Sequence, residues 1–155
     1  MRAGRLAAAA SLATLVLAAP AGAKINPQTA GLQVALRAWG YYCGPIDAIA
    51  GPMTARAVRE LQRRHGLVVD GIPGPATRRA MGRLGRPLYG RRTLRRGMAG
   101  WDVSVLQFLL TRRRASTGII DGYFGAETSR ALRRFQRRVG LVADAIAGPL
   151  TRRAL

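Results

Sequence analysis

The feature that most constrains the fold of this chain is an internal repeat. Residues 32–81 align without a gap with residues 106–155, and each residue of the first stretch lies 74 positions before its counterpart. The repeat ends in DGIPGPATRRA at 70–80 and in DAIAGPLTRRA at 144–154. Identical pairs occur throughout: Leu32/Leu106, Gln33/Gln107, Leu36/Leu110, Gly44/Gly118, Asp47/Asp121, Gly51/Gly125, Thr54/Thr128 and Gln62/Gln136. A stretch of about 50 residues that occurs twice indicates two copies of one small structural unit.

Each copy contains the same turn sequence twice, in the form D-x-x-x-G-x-x-T. Its Asp can accept hydrogen bonds from backbone amides ahead of it, and its Gly reaches conformations that other residues avoid. In three of the four turns Pro follows the Gly, where it fits the first position of a helix. We therefore interpret eight residues as structural turn residues and not as catalytic ones: Asp47, Gly51, Asp70, Gly74, Asp121, Gly125, Asp144 and Gly148.

Three helical patterns occur in each copy. The first runs over NPQTAGLQVALRAWG, with Asn26 as N-cap and Gly40 as terminator. In the second copy Asp102 is predicted to cap VSVLQFLLTRR. The sequence thus predicts an all-α protein of two tandem three-helix modules, at 26–84 and 98–155, joined by a basic Gly/Pro/Arg linker at 85–97. We expect each module to fold by itself.

The first 23 residues have the layout of a secretory signal peptide. A positively charged start, MRAGR, precedes an apolar run and then small residues that end at Ala23. The alternative is a membrane anchor, but the run is short against the roughly 20 residues that span a bilayer, and Pro20 closes it. We expect cleavage before Lys24, no membrane span after it, and a secreted or cell-envelope location.

Charge and rare residues limit the possible chemistry. The formal net charge is +19 at pH 7, so the surface attracts polyanions. Four of the seven acidic residues belong to the turns, and the chain has one histidine, His65, and one cysteine, Cys43. A glycosidase needs a facing carboxylate pair, and a zinc hydrolase needs about three protein ligands. We therefore predict no catalytic residues, no metal, no cofactor and no internal disulfide.

The combined pattern is similar to the peptidoglycan-binding-like domain family. The similar motifs are L-Q-x-x-L, G-Y-Y-x-G, D-G-x-F-G, T-x-x-A, F-Q and G-L-x-x-D-G-x-x-G-x-x-T. The first copy matches at Leu32, Gln33, Leu36, Gly40, Tyr41, Tyr42, Gly44, Asp47, Gly51, Thr54, Ala57, Gln62, Gly66, Leu67, Asp70, Gly71, Gly74 and Thr77. The second matches at Leu106, Gln107, Leu110, Gly118, Asp121, Gly122, Phe124, Gly125, Thr128, Ala131, Phe135, Gln136, Gly140, Leu141, Asp144, Gly148 and Thr151. The resemblance implies a three-helix module that holds a secreted protein on bacterial cell wall, often beside a wall-cutting domain.

Both copies depart from the family pattern. Ala48 and Ala145 stand where Gly is expected, which predicts strained turns. Ala50 stands where the second copy has Phe124, so we expect the first core to lack an aromatic side chain and the first module to be the less stable one.

The candidate ligand-binding residues are two tyrosines of the first loop and two arginine pairs. The tyrosine faces can stack on sugar, although one of the two rings is expected in the core. The arginines can contact wall carboxylates or phosphates, and the alternative is that they only form a solvated helix face. These residues are Tyr41, Tyr42, Arg63, Arg64, Arg137 and Arg138.

Together these observations predict a secreted, non-catalytic, monomeric protein that binds bacterial peptidoglycan or an associated anionic wall polymer, or the targeting part of a wall hydrolase. The alternative is a basic helical protein that binds polyanions or nucleic acid. The signal peptide and the spread of arginines over every helix argue against specific nucleic-acid binding.

Overall fold

The structure, a computed structural model, describes residues 24–155 and contains six α-helices there. They are α1 (Pro27–Ala38), α2 (Pro52–Arg64), α3 (Pro75–Ala80), α4 (Trp101–Arg112), α5 (Ala126–Arg138) and α6 (Pro149–Ala154). A 3₁₀ turn covers Gly82–Gly85. Over this range the chain forms no strand, only two isolated bridges. The all-α prediction of two tandem three-helix modules is thus confirmed, while the predicted signal peptide lies outside the described residues. Of the described helices, none has the length and apolar character needed to span a membrane.

Local sequence explains where the helices begin and end. The Asn26 side chain accepts a hydrogen bond from the backbone N–H of Gln28 at 3.0 Å, as an N-cap does. At the other end of α1, Gly40 has a φ of 77°, and the N–H of Tyr41 bonds back to Leu36 O at 2.9 Å. Both features agree with the predicted boundaries of α1.

The start of α4 corrects one prediction. Gly100 precedes the helix, which begins at Trp101, and Asp102 lies inside the first turn. The Asp102 carboxylate is buried there and pairs with Arg92, whose Nε lies 2.7 Å from Oδ2 and whose Nη2 lies 3.2 Å from Oδ1. Asp102 therefore neutralises an arginine of the connecting segment instead of capping a helix that starts after it.

Alanine occupies left-handed backbone in two turns, as the departures from the family pattern predict. Ala48 has a φ of 62° and Ala145 a φ of 60°. Left-handed backbone costs a residue with a β-carbon roughly 1–2 kcal/mol. Arg114, with a φ of 56°, carries the same kind of strain at the end of α4. The predicted strain at Ala48 and Ala145 is confirmed.

The two modules share apolar contacts. Trp101 and Val105 of α4 belong to the same buried cluster as Leu32, Leu36 and Leu61 of the first module. A second cluster lies within the second module and includes Phe124, while Ala50 at the matching position is exposed. The first core does lack that aromatic ring, and Trp101 supplies a large aromatic side chain from the neighbouring module.

The connecting segment is packed against both modules. Tyr89 contacts both buried clusters, and Leu94 is buried in the second one. The backbone of Leu94 pairs with that of Ala147 through two hydrogen bonds of 3.3 and 2.8 Å. Because the segment fills space between the modules, it fixes their relative placement in a way that its composition did not indicate.

Candidate ligand-binding surfaces

One buried glutamine organises each of the four turns. The four glutamines are almost completely buried, and each bonds to the Asp, the Thr and the backbone of its turn. They are Gln33 and Gln62 in the first module and Gln107 and Gln136 in the second. The repeated turn sequence is therefore one half of a repeated hydrogen-bond network.

The turn at Asp121 shows the network in full. The Gln107 Nε2 group donates to Asp121 Oδ1 at 2.9 Å, to Tyr123 O at 3.1 Å and to Thr128 Oγ1 at 3.1 Å. Gln107 Oε1 accepts from the backbone N–H of Gly122 at 2.9 Å. Asp121 Oδ1 also accepts from the N–H of Tyr123 at 2.9 Å. Donors and acceptors that would otherwise be buried without partners are thus satisfied within the turn.

In the turns at Asp70 and Asp144 these bonds favour the ionised form of the carboxylate. The backbone N–H of Ile146, followed by the Gln136 amide, holds the pKa of Asp144 below its usual range. The equivalent bonds from Ile72 and then from Gln62 lower the pKa of Asp70. A carboxylate in this setting shapes a loop, and it is poorly suited to donate a proton as a general acid.

The role of these four glutamines was not predicted from the sequence. A signal was present, because the Gln stands 14 residues before the Asp in the first turn of each copy and 8 residues before it in the second. Both spacings recur unchanged between copies. A fixed spacing between an amide and a carboxylate therefore predicts a bonded pair in this type of chain.

The tyrosines of the first loop differ in accessibility. Tyr42 is only 6% exposed, and its hydroxyl donates to Pro45 O at 2.7 Å and accepts from Gln33 Nε2 at 3.1 Å. Burial, with the nearby Asp47 charge, raises the pKa of Tyr42. Tyr41 is half-buried against the apolar cluster of the first module, to which Tyr42 also belongs. The expectation that one of the two rings packs in the core is confirmed by Tyr42, whose ring is not free to stack on sugar.

Two exposed aromatic side chains and one half-buried one occur where α1 and α2 end. Trp39 is 47% exposed, its Nε1 donates to Met81 O at 3.3 Å, and its ring meets His65 edge to face at 5.7 Å. Tyr41 follows two residues after Trp39. We call Trp39, Tyr41 and His65 the helix-end surface of the first module. The second module has Arg113, Ala115 and Val139 at these positions.

Three of the four candidate arginines make contacts within their own chain. Arg63 and Arg64 both pair with Glu60, and the Arg64 Nε to Glu60 Oε1 distance is 3.0 Å. The bond from Arg64 lowers the pKa of Glu60 and raises that of Arg64. Arg138 donates to a backbone carbonyl of the loop after α4 and lies over a buried aromatic ring. Arg137 is exposed.

Two open grooves border the turns of the second module. One, of about 420 Å³, is lined by Thr117, Ile119, Tyr123 and Glu127 among others. The other, of about 390 Å³, is lined mainly by apolar side chains that include Leu141, Val142, Ile146 and Leu150. The second module thus presents apolar and polar loop surface in place of the helix-end aromatics.

Comparison with known proteins agrees with this architecture. A family model described as "Putative peptidoglycan binding domain" matches residues 26–81 and 100–155. The chain is 45% identical over 104 residues to the N-acetylmuramoyl-L-alanine amidase CwlM of Mycobacterium tuberculosis, a match that covers 64% of this chain and 25% of that protein. It is 35% identical over 123 residues to a Bacillus licheniformis protein named "Probable N-acetylmuramoyl-L-alanine amidase", covering 68% and 35% respectively.

A third relative is the spore cortex-lytic enzyme of Bacillus cereus, 40% identical over 67 residues, with 43% of this chain and 26% of that protein covered. The chain therefore spans about a quarter to a third of the length of these relatives. No solved structure matches it significantly. Since the two matched stretches make up most of the chain, it belongs to the peptidoglycan-binding domain family and carries two tandem copies of that domain.

Proposed function

We propose that this chain is exported and binds bacterial peptidoglycan without cutting it, either by itself or as the wall-targeting part of a longer hydrolase. The observation that carries the proposal is the double family match over residues 26–81 and 100–155. The relatives are named as N-acetylmuramoyl-L-alanine amidases and a spore cortex-lytic enzyme, and this chain covers only a minor part of each. Because this chain aligns with only part of each relative, the coverage supports a binding role for the region that the chain and its relatives share.

The use of the acidic residues supports binding over catalysis. Four carboxylates hold the turns through their glutamines. Asp102 pairs with Arg92, Glu60 with two arginines of α2, and Glu127 with Arg130. Each of the seven acidic side chains thus has a partner in its own chain. General acid–base catalysis of glycoside hydrolysis requires a carboxylate pair that faces the scissile bond.

We infer that the helix-end surface of the first module contacts the glycan. Its tryptophan is exposed yet fixed by a hydrogen bond and by the edge of His65. A ring that is already held in place loses little conformational entropy when a ligand stacks on it. Tyr41 follows two residues after Trp39 and lies near the charge of Arg64, whereas Tyr42 is excluded by its burial.

Co-sedimentation with purified sacculi, compared with retention on DNA-cellulose, tests this proposal at low salt and at about 0.5 M salt. Exposed charge–charge attraction is strongly screened at the higher ionic strength, so peptidoglycan binding should persist there and DNA binding should not. Replacement of Trp39 and Tyr41 by Ala should remove most of the salt-resistant binding. Replacement of Met53 and Ile72 by Ala, two exposed apolar side chains of the first module outside this surface, is the control and should change the salt-resistant binding little.

Two further measurements address catalysis and export. Sacculi incubated with the pure protein should release no soluble fragments, and release in proportion to protein concentration would contradict the non-catalytic role. Mass spectrometry of the secreted protein should find an N-terminus at Lys24. An intact Met1 on a cytoplasmic protein would contradict export.

A further inference from the structure

A second surface has a different chemistry from the helix-end surface. A groove of about 500 Å³ lies between the segment that connects the modules and helix α5. We call it the arginine groove. Its lining includes Arg95, Arg96, Arg130, Arg133, Asp144 and Ile146.

Backbone pairing fixes both sides of the arginine groove. Arg95 and Arg96 lie between Leu94, which pairs with Ala147, and Gly97, whose N–H bonds to Phe124 O at 3.0 Å. Arg130 and Arg133 lie on α5 three residues apart, a spacing that places two side chains on one face of a helix. The four arginines are therefore presented by two rigid elements and not by a free loop.

The charges of this groove are poorly compensated. Arg130 pairs with Glu127, and both side chains are well exposed, so that this ion pair is weak. Within residues 24–155, Arg95, Arg96 and Arg133 form no ion pair with a carboxylate. Asp144 is the one carboxylate of the groove lining, and the charge of Arg133 helps to lower its pKa, so that four arginines face a single negative charge. A ligand that brings negative charge into the groove would relieve the repulsion between these guanidinium groups.

The remaining lining indicates what kind of anion fits. Guanidinium groups bind both carboxylates and phosphates through paired N–H donors. Asp144, however, lies in the same groove, exposed, with its Oδ1 used by the turn and its Oδ2 free of hydrogen bonds within residues 24–155. That oxygen accepts N–H donors, which a peptide has and a phosphate chain lacks. Ile146, 41% exposed, adds apolar contact surface.

We propose that the arginine groove binds a short peptide that carries at least two carboxylates. This assignment rests on the proposed function, in which such a peptide is the peptide part of peptidoglycan. The two guanidinium pairs would hold the carboxylates, and Asp144 Oδ2 would accept an N–H group of the peptide. The second module would then recognise peptide while the helix-end surface of the first recognises glycan.

The first module provides a matched control. Arg56 and Arg59 of α2 are the counterparts of Arg130 and Arg133, and Arg59 lies against the turn at Gly71. The counterparts of Arg95 and Arg96 are Ala21 and Gly22, which lie outside the described residues. Removing two arginines from either module changes the net charge equally. A difference in affinity between the two variants is therefore due to the position of the arginines in the groove and not to overall charge.

The test measures binding of the folded protein, residues 24–155, to three probes. They are intact sacculi, glycan strands from which an amidase has removed the peptides, and the released peptides, followed by fluorescence anisotropy. Replacing Arg95 and Arg96, or Arg130 and Arg133, by Ala should weaken binding of the released peptides about tenfold or more, equivalent to roughly 1.4 kcal/mol. Replacing Arg56 and Arg59 should change it less than about twofold. Circular dichroism checks that each variant is folded. If an Ala variant is unfolded, the same arginines are replaced by Gln instead.

Several results would overturn the assignment. If replacing Arg56 and Arg59 weakens peptide binding as much as replacing the groove arginines does, the binding is diffuse charge attraction. Equal binding of inorganic polyphosphate, with the same dependence on the groove arginines, would mean a phosphate site. Binding to intact sacculi and to peptide-free glycan, but not to released peptides, would remove the peptide site and leave the proposed function standing. If the protein binds no sacculi at all, the proposed function fails with it.

Discussion

Trp101 is the side chain whose removal should disturb both modules at once. It is 3% exposed and lies in the cluster formed by α1 and α2, although it belongs to the second module. A β-carbon on Gly31 would lie only 2.5 Å from the Trp101 ring, so the glycine is required for the close approach of α1 and α4. Trp101 Nε1 also donates to Gln28 Oε1 at 2.9 Å.

We expect Trp101→Ala to lower the free energy of unfolding by about 3–5 kcal/mol, the usual loss for a buried Trp or Phe. That is a large part of the roughly 5–15 kcal/mol that stabilises a typical domain. Trp39→Ala removes the same side chain from a half-exposed site and should cost much less, about 1 kcal/mol. Gly31→Ala should cost about 1–3 kcal/mol because it forces the Trp101 ring to move.

Urea unfolding of residues 24–155, followed by circular dichroism, measures these changes. The shared core predicts one cooperative transition. The coupling between the modules would be refuted by two transitions of which Trp101→Ala shifts only one. It would also be refuted if Trp101→Ala lowered the free energy of unfolding no more than Trp39→Ala does. Fragments 24–85 and 93–155 test the sequence prediction that each half folds alone. We expect the first fragment to be the weaker, because it loses Trp101 and Val105 from its core.

Three further predictions concern polar groups that are held by, or buried in, the fold. Arg92→Ala should destabilise the protein by about 3 kcal/mol in urea unfolding, because it leaves the Asp102 carboxylate buried without its partner, whereas exposed Arg91→Ala should have little effect. Tyr89→Phe should leave the melting temperature unchanged or raise it, since the buried hydroxyl has no hydrogen-bond partner within residues 24–155. It should also reduce the loss of stability between pH 10 and 12, because burial raises the pKa of Tyr89 to about 12. The pKa of Asp144 is lowered in the fold, so its ionised carboxylate stabilises the folded state above the unfolded pKa of about 4, and this stabilisation is lost as the pH falls further. Asp144→Asn should therefore weaken the acid-induced drop in melting temperature.

Local sequence was sufficient to predict the helices and turns, apart from the start of α4, where Asp102 was expected as the cap but lies inside the first turn. Asn26 and the Gly–Pro pairs act on their immediate neighbours, so their effect can be read from adjacent residues. The strained alanines, Ala48 and Ala145, were visible because the repeat and the family pattern both call for glycine there. These features depend on backbone conformation over a few residues.

Contacts between distant residues could not be predicted in the same way. The bond between Trp101 and Gln28 joins residues 73 positions apart, and nothing in a repeat shows which copy a side chain will contact. The connecting segment looked like a polar linker by composition, yet Leu94 and Tyr89 pack in the cores. The choice between Tyr41 and Tyr42 depended on the position of Gln33, which only the fold supplies.

The central claim is that this chain binds peptidoglycan without cutting it. The most direct test is an NMR titration of isotope-labelled residues 24–155 with soluble peptidoglycan fragments, followed by mass spectrometry of the fragments. We predict saturable shift changes confined to the helix-end surface and the arginine groove, with every fragment recovered intact. Peptidoglycan recognition would be contradicted if no shifts changed. It would also be contradicted if a DNA oligonucleotide of equal charge caused the same changes, spread over all arginines. Shortened fragments would contradict the non-catalytic character of the protein.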